Sequence, residues 1–221
     1  MIIKPIAHIH TDFKEKFGIP RQSGRASSLT SEIVFEPEYR NAEALREIEG
    51  FSHLWLLFDF SLAHKESWSA TVRPPRLGGN KRVGVFASRS PFRPNPIGLS
   101  LVKLVKVADS EQGKTLIVAG ADLLDGTPIL DIKPYLPFAD YAENATAGYA
   151  GEHQYDSVEV VFPDDLLDKI PEEKRVGLLD CLREDPRPSY QEDGRTYGMK
   201  FADFEIKFTV NNGILTVINV E

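Results

Sequence analysis

The chain has 221 residues, a formal charge of −7, 42% hydrophobic and 27% charged residues, the balance of an ordinary globular protein with length for one large or two modest domains. No apolar run is long enough to span a bilayer, MIIKPIAHIH lacks the order of a secretory signal, and the single Cys181 excludes an internal disulfide and a multi-cysteine zinc site. A cytoplasmic location is the expectation, and the net negative charge argues against nucleic-acid binding over the whole surface.

Residues 2–9 read as an opening strand, and residues 13–25, FKEKFGIPRQSGR, as a loop broken by Gly18, Pro20 and Gly24. A short helix is expected over 42–49, capped by Asn41, ended by Gly50, with Ala44, Leu45 and Ile48 as its apolar stripe. Residues 51–60, containing HLWLLFDF, are so apolar that they predict a fully buried strand. Strands follow over 83–87 and 98–107, and Pro91, Pro94 and Pro96 between them exclude a helix. Residues 115–124 are β-rich, Asp125-Gly126 offers a two-residue hairpin turn, and 128–136 reads as the returning strand. Residues 1–150 therefore predict a β barrel or sandwich.

Composition shifts after Tyr149, and NATAGYAGEHQ, residues 144–154, reads as a linker. Helices are expected over 164–170 and 172–183, the second stopped by Asp185-Pro186. Strands over 204–210 and 214–220 flank the hairpin signal Asn211-Asn212-Gly213. Residues 151–221 thus predict a second, small α+β domain.

Charge is unevenly spread. Between Ser67 and Ala108 stand eight basic residues (Arg73, Arg76, Lys81, Arg82, Arg89, Arg93, Lys103, Lys106) and no acid, which leaves −15 for the rest of the chain. Such segregation implies a cationic patch on a proline-stiffened loop facing an anion. Arg89 and Arg93, in SRSPFRPNP, offer planar forks suited to carboxylate or phosphate, and the prolines reduce the entropy of ordering them. The competing reading is that these arginines only brace the loop.

If Asp125-Gly126 closes a hairpin, Asp122 lies opposite Ile129, with Asp131, Lys133 and Tyr135 on the same face. That face is either a ligand site at a barrel end or a solvated strand face with cross-strand ion pairs. His53 is a candidate base or a hydrogen-bonded core group. The other histidines show no metal-ligand spacing, and no nucleophile elbow, P-loop, HExxH or post-strand GxGxxG is present, so no metal and no Rossmann nucleotide site is expected. Cys181 reads as a core residue of its helix. The residues by themselves point to a site for something anionic and do not name a reaction.

Three blocks carry a resemblance: GFSHLWLLFDF at 50–60, TVRPPRLGGNKRVGVFASRSPFRPNPIGLSLVKL at 71–104, and DLLDGTPILDIKPYLPFAD at 122–140. With KEKFGIPRQSG near the start and DPRPSY and RTYGM near the end, the chain resembles the YaeB/TsaA-like family, the TrmO tRNA methyltransferases, over nearly its whole length. The resemblance implies a homodimeric all-β barrel methyltransferase. Such an enzyme uses S-adenosyl-L-methionine to methylate N6 of threonylcarbamoyladenosine beside the anticodon of threonine tRNAs. It implies cofactor contacts at Pro20, Arg21 and Gln22, at Ser61 and Leu62, at Arg89 and Leu99, and at Asp122, Leu123, Leu124 and Asp125. Arg89 would hold the methionine carboxylate. Asp122, Asp131 or His53, or an oriented water, would help remove the N6 proton. Lys81, Arg82 and Arg93, with Lys133 and Tyr135, would face the tRNA. Two rivals are a non-catalytic tRNA-binding adaptor and a methyltransferase of the same fold acting on another anionic small molecule.

Overall fold

A computed structural model describes residues 2–74, 81–151, 157–187 and 193–221. Its strands are β1 (Ala7–His10), β2 (Thr30–Phe35), β3 (His53–Asp59), β4 (Thr71–Val72), β5 (Val83–Gly84), β6 (Ile97–Ser110), β7 (Gly113–Ala119), β8 (Thr127–Pro134), β9 (Glu159–Val161), β10 (Thr196–Phe201), β11 (Phe204–Asn211) and β12 (Ile214–Val220). The helices are α1 (Pro137–Asp140), α2 (Asp164–Leu167) and α3 (Glu172–Arg183).

Six strands close a barrel in the order β1-β2-β7-β6-β3-β8, each antiparallel to its neighbours. Period-two alternation aims Ala7, Ile9, Ile33, Leu54, Leu56, Leu116, Val118 and Ile129 inward, where all are completely buried. Closure pairs every strand on both sides and leaves no sheet edge exposed. The β4–β5 pair forms a separate two-stranded ribbon.

Several expectations are corrected. The strand at 51–60 is not buried on both faces: Leu54, Leu56 and Phe58 face the core, whereas His53, Trp55, Leu57 and Asp59 face outward. A barrel wall has an outside, and here that outside is partly apolar, with Ile97 and Leu99 of β6 exposed beside Asp59 and Leu57. The helix expected over 42–49 is instead two 3-10 turns, Ala42–Leu45 and Ile48–Gly50, separated by Glu47 at φ +67. Asn41 does cap the first by accepting from the Glu43 N–H at 3.0 Å. Leu45, Ile48 and Phe51 are spent on covering the barrel core rather than on helical packing. The opening strand spans only Ala7–His10, only Val83–Gly84 of the 83–87 strand pairs, and β2 was not anticipated, although TSEIVF alternates with three β-branched residues.

The expected 115–136 hairpin does not form. The chain leaves β7 at Ala119 and runs to Thr127, where β8 pairs with β1 and β3. Gly126 (φ +75) does make a tight turn, the Thr127 N–H donating to the Leu124 carbonyl at 3.1 Å, but it turns a crossover. Ile129 therefore faces Ala7 and Phe58 rather than Asp122.

Beyond the barrel, β10-β11-β12-β9 form a second sheet, with β9 parallel to β12. The predicted β11–β12 hairpin turns through Asn212 (φ +49) and Gly213 (φ +77), the paired positive φ values of a type I′ turn. α3 has the expected bounds and seats Leu178, Cys181 and Leu182 on this sheet. Burial pushes the Cys181 thiol pKa up, as befits a core cysteine. Phe13, Ala26 and Leu29, from the segment joining β1 to β2, are buried in this second core and not in the barrel.

Candidate active site

A pocket of about 320 Å³ opens at one end of the barrel, the lower range for small-molecule sites. Its wall is built from five places: Lys16, Ile19 and Pro20 of the β1–β2 segment, Phe58 to Ala63 around the end of β3, Pro91 and Phe92, Asp122 to Leu124 of the crossover, and Thr127 at the start of β8. Pro20, Ser61, Leu62, Asp122, Leu123 and Leu124, expected as cofactor contacts, thus converge although they are distant in sequence. Phe58 packs on Gly98 of β6 so closely that a Cβ there would lie 2.1 Å from the ring tip, and Phe60 sits edge-on to Phe58 at 4.9 Å.

Asp122 is the charged group at the buried end of this pocket. Burial pushes its carboxyl pKa up, against the opposing pull of a hydrogen bond from the Ser100 hydroxyl and the positive charge of Arg89. Ser100 faces the interior because β6 alternates, and it is one of the few fully enclosed polar side chains. Arg89 donates from Nη1 to Gln22 Oε1 at 2.6 Å, and Gln22 Nε2 donates to the Arg21 carbonyl at 2.7 Å. Arg89 and Gln22 do not line the pocket themselves; its charged lining residues are Lys16, Asp59 and Asp122, and Arg89 acts on Asp122 from beside it.

The other expected residues are elsewhere. Arg21 turns from the pocket, and its Nη2 donates to the carbonyls of Asp185 (2.9 Å) and Arg187 (3.1 Å). The Asp125 side chain is a brace, accepting from the Thr11 N–H at 3.0 Å and from Lys14 Nζ at 2.8 Å. Leu99 lies on the outer wall, 55% exposed. His53, Asp131, Lys133 and Tyr135 also lie on that wall. Asp131 pairs with Leu57 and holds Lys133 Nζ at 2.7 Å, and His53 Nδ1 lies 2.9 Å from Ser52 Oγ with its ring edge-on to Tyr135 at 6.3 Å. Six residues of extended strand, roughly 20 Å, separate His53 from Asp59 at the pocket rim. Within one chain, Asp122 alone of the three candidate bases reaches the pocket, because the crossover replaces the hairpin that would have joined it to Asp131. Sequence reasoning missed Phe58, Phe60, Phe92 and Ser100; only the strand alternation hinted that Ser100 would point inward.

The cationic segment divides. Arg93 donates to the Ser88 carbonyl at 3.2 Å and Arg82 to Thr71 Oγ1 at 3.1 Å, so each stiffens its own loop, while Lys81 is exposed. Beside them, the exposed rings of Trp68 and Phe86 lie 6.2 Å apart, and Lys65 Nζ sits 4.2 Å from the centre of the Phe92 ring. Arg76 and the Gly78-Gly79 pair lie outside the described residues, as does His153. Among the described residues, no cluster of three or more His, Cys, Asp or Glu could hold a metal, and no helix is long and apolar enough to cross a membrane.

Comparison with known proteins accounts for both units. Residues 8–141 match the tRNA-methyltransferase O N-terminal domain, and residues 157–221 match the TrmO C-terminal domain. An Escherichia coli K12 protein named tRNA (adenine(37)-N6)-methyltransferase is 42% identical over 225 residues, spanning 98% of this chain and 96% of that protein. A putative S-adenosylmethionine-dependent methyltransferase of Pseudomonas aeruginosa is 40% identical over 213 residues, 92% of this chain and 90% of its own. The crystal structure of TrmO from Pseudomonas aeruginosa superposes with a TM-score of 0.80 at 34% identity, covering 100% of this chain and 98% of that one. The fold, both family matches and the full-length relatives agree, and the chain belongs to the TrmO family of tRNA methyltransferases.

Proposed function

We propose that this protein transfers a methyl group from S-adenosyl-L-methionine to N6 of the adenosine at tRNA position 37, and that its substrate is the threonylcarbamoylated base of threonine tRNAs. The observation that carries the reading is an apolar-walled pocket that encloses Asp122, with the charge of Arg89 acting on that carboxyl from beside it, in a chain that also bears a cationic segment with exposed aromatic rings. Full-length relatives named for this tRNA reaction and for this cofactor support it.

The pocket's chemistry fits the cofactor. Arg89 offers its remaining guanidinium donors to the amino-acid carboxylate while Nη1 stays on Gln22 Oε1. Asp122 accepts from the amino group or a sugar hydroxyl, its ionised form favoured by the Ser100 hydrogen bond and the charge of Arg89 against a larger cost of burial. Phe58, Leu62, Phe92 and Leu123 supply apolar contact and exclude water. The cofactor supplies an electrophilic methyl on a sulfonium. The remaining work of the protein is in-line alignment with N6, which is worth several kcal/mol, and acceptance of the N6 proton, for which Asp122 is the candidate.

Arg73, Lys81 and Arg82 stand on or beside the β4–β5 ribbon, close to Trp68 and Phe86. Cations interleaved with exposed rings suit an unpaired anticodon loop, with phosphates on the cations and bases on the rings. We also infer a homodimer through the outer wall of β3 and β6, where Leu57, Ile97 and Leu99 are exposed or half-buried; a second copy seated there would enclose Leu99 beside a ligand.

The deciding experiment is mass spectrometry of tRNA nucleosides after incubation with enzyme and cofactor. Appearance of the N6-methylated, threonylcarbamoylated nucleoside supports the proposal. Methylation of unmodified adenosine alone removes the threonylcarbamoyl assignment, and no methylation with intact tRNA binding favours the adaptor. Thermal melting is a quick companion, since cofactor at about a hundred times Kd adds roughly 2.7 kcal/mol of stability.

A further inference from the structure

The segment between β1 and β2, which carries Lys16, Ile19 and Pro20 to the pocket and Gln22 to Arg89, contains no helix or strand of its own. Much of what holds it belongs to the C-terminal unit. Lys174 of α3 grips both carboxylate oxygens of Asp12 at 2.6 and 2.7 Å, and the Ala202 N–H donates to the Asp12 carbonyl at 2.7 Å. The Lys200 N–H donates to Glu15 at 2.9 Å. Gly18 lies against Met199 and Leu29 against Gly177, with no room for a Cβ on either glycine. These contacts fasten the two ends of the segment. Farther along, Arg25 pairs with Glu184 at 3.6 Å, and Arg21 makes a contact next to the pocket residue Pro20.

That contact starts at the corner following α3. Asp185 ends the helix in the left-handed region, at φ +45. Its carboxylate receives Arg187 in a fork, Nε to Oδ1 and Nη2 to Oδ2, both at 2.9 Å, and also accepts the Arg187 N–H at 3.2 Å. Arg187 reaches Asp193 Oδ1 at 3.2 Å as well, and its side chain is only 11% exposed. The fork folds the chain so that the carbonyls of residues 185 and 187 converge on one Arg21 nitrogen. The Arg21 carbonyl then holds the Gln22 amide nitrogen, which leaves Gln22 Oε1 aimed at Arg89.

We propose that the Asp185–Arg187 corner is a positioning device for the cofactor pocket, setting Gln22 and Arg89 through Arg21. Arg187 touches nothing in the pocket and acts only through the carbonyls that it locks in place. A bidentate guanidinium–carboxylate pair is rigid enough for that task. The inference rests on the pocket being the S-adenosylmethionine site and adds that the C-terminal unit tunes it.

The test uses the full chain, with calorimetric titration of S-adenosylmethionine beside steady-state kinetics on tRNA. Arg187→Ala is expected to weaken cofactor Kd at least tenfold, with KM for tRNA at saturating cofactor within twofold of wild type. Asp185→Gly keeps the positive φ while removing the fork, so it reports on the same link in a chain that still folds; it is expected to weaken Kd by at least fivefold. Arg21→Ala combined with Arg187→Ala is expected to cost little more than the worse single change, because both sever one path. Arg21→Lys, which keeps a donor, is expected to recover part of the loss. Cofactor affinity within twofold of wild type in both corner variants, or losses that multiply in the double variant, overturns the proposal. So does a rise in tRNA KM with Kd unchanged, which makes the corner an RNA contact. A wild-type protein that binds no cofactor sinks the pocket reading first, and the relay with it.

Discussion

Asp122 and Asp125 stand three residues apart and are driven in opposite directions. Burial raises Asp122, so its charge costs stability as pH climbs through its folded-state pKa, a cost absent in acid. Asp122→Asn keeps an acceptor for Ser100 and lacks that charge. Its melting temperature relative to wild type is expected to improve as pH rises above the usual carboxylate range, while cofactor Kd weakens at least tenfold. Calorimetric melts across pH, paired with cofactor titration, check both halves. At Asp125 burial also acts upward, but the hydrogen bond from Lys14, the Thr11 N–H and the charges of Lys14 and His10 outweigh it, so the pKa is lowered. A lowered carboxylate stabilises the fold above its unfolded value, and this contribution disappears as pH falls through the folded one. Asp125→Asn is therefore expected to lose on the order of 1 kcal/mol at neutral pH, with the gap from wild type closing in acid. His53→Ala is expected to change kcat less than threefold, since His53 sits on the outer wall; a tenfold loss would mean that a second subunit brings it to the chemistry.

At the scale of elements, the site depends on how strands end. β3 delivers Phe58 inward and Asp59 to the rim, and β6 offers Gly98 where Phe58 needs room. Gly98→Ala is expected to push Phe58 out of place, costing about 1–3 kcal/mol as overpacking does and weakening cofactor binding; an unchanged melting temperature would show that the ring simply moves aside. The presence of β3 and β6 and the alternation of β11 and β12 are readable in the sequence, and so is the Asn212-Gly213 turn, because period two and positive-φ turn chemistry are local properties; the apolar run of β3 reads as buried on both faces when it is buried on one. The Asp125-Gly126 turn was readable too, yet the hairpin built on it was wrong. A turn fixes local direction, whereas strand partners are decided by which neighbours close the barrel. The helix expected over 42–49 failed for a related reason: eight residues hold too little intrinsic helicity to resist covering a core.

For the whole molecule, the chain is two cores joined by a shared segment, since Phe13, Ala26 and Leu29 leave the barrel's side of the sequence to pack under α3. The cationic segment is offered to a polyanion, so binding to tRNA is expected to weaken steeply with salt, while binding to the cofactor, a small molecule with a single net positive charge, changes little. Titrations of both ligands across a salt series check this. Trp68→Ala is expected to raise KM for tRNA several-fold without altering cofactor Kd; equal effects on both would place the ring in the pocket instead.

Composition, periodicity and the three motif blocks determined that this chain is mainly β and which family it resembles, and they set the expectations of a division near residue 150 and of a cationic loop facing an anion. Those are properties of short stretches, and local sequence carries them. Only the tertiary structure decided that Asp122 stands apart from Asp131, that Ser100 and Phe58 finish the pocket, and that Arg21 answers to Asp185 and Arg187. The Ser100–Asp122 and Arg21–Arg187 contacts join residues 22 and 166 positions apart. Which such residues meet is settled by barrel closure and by the packing of a second core, and no window of sequence contains both partners.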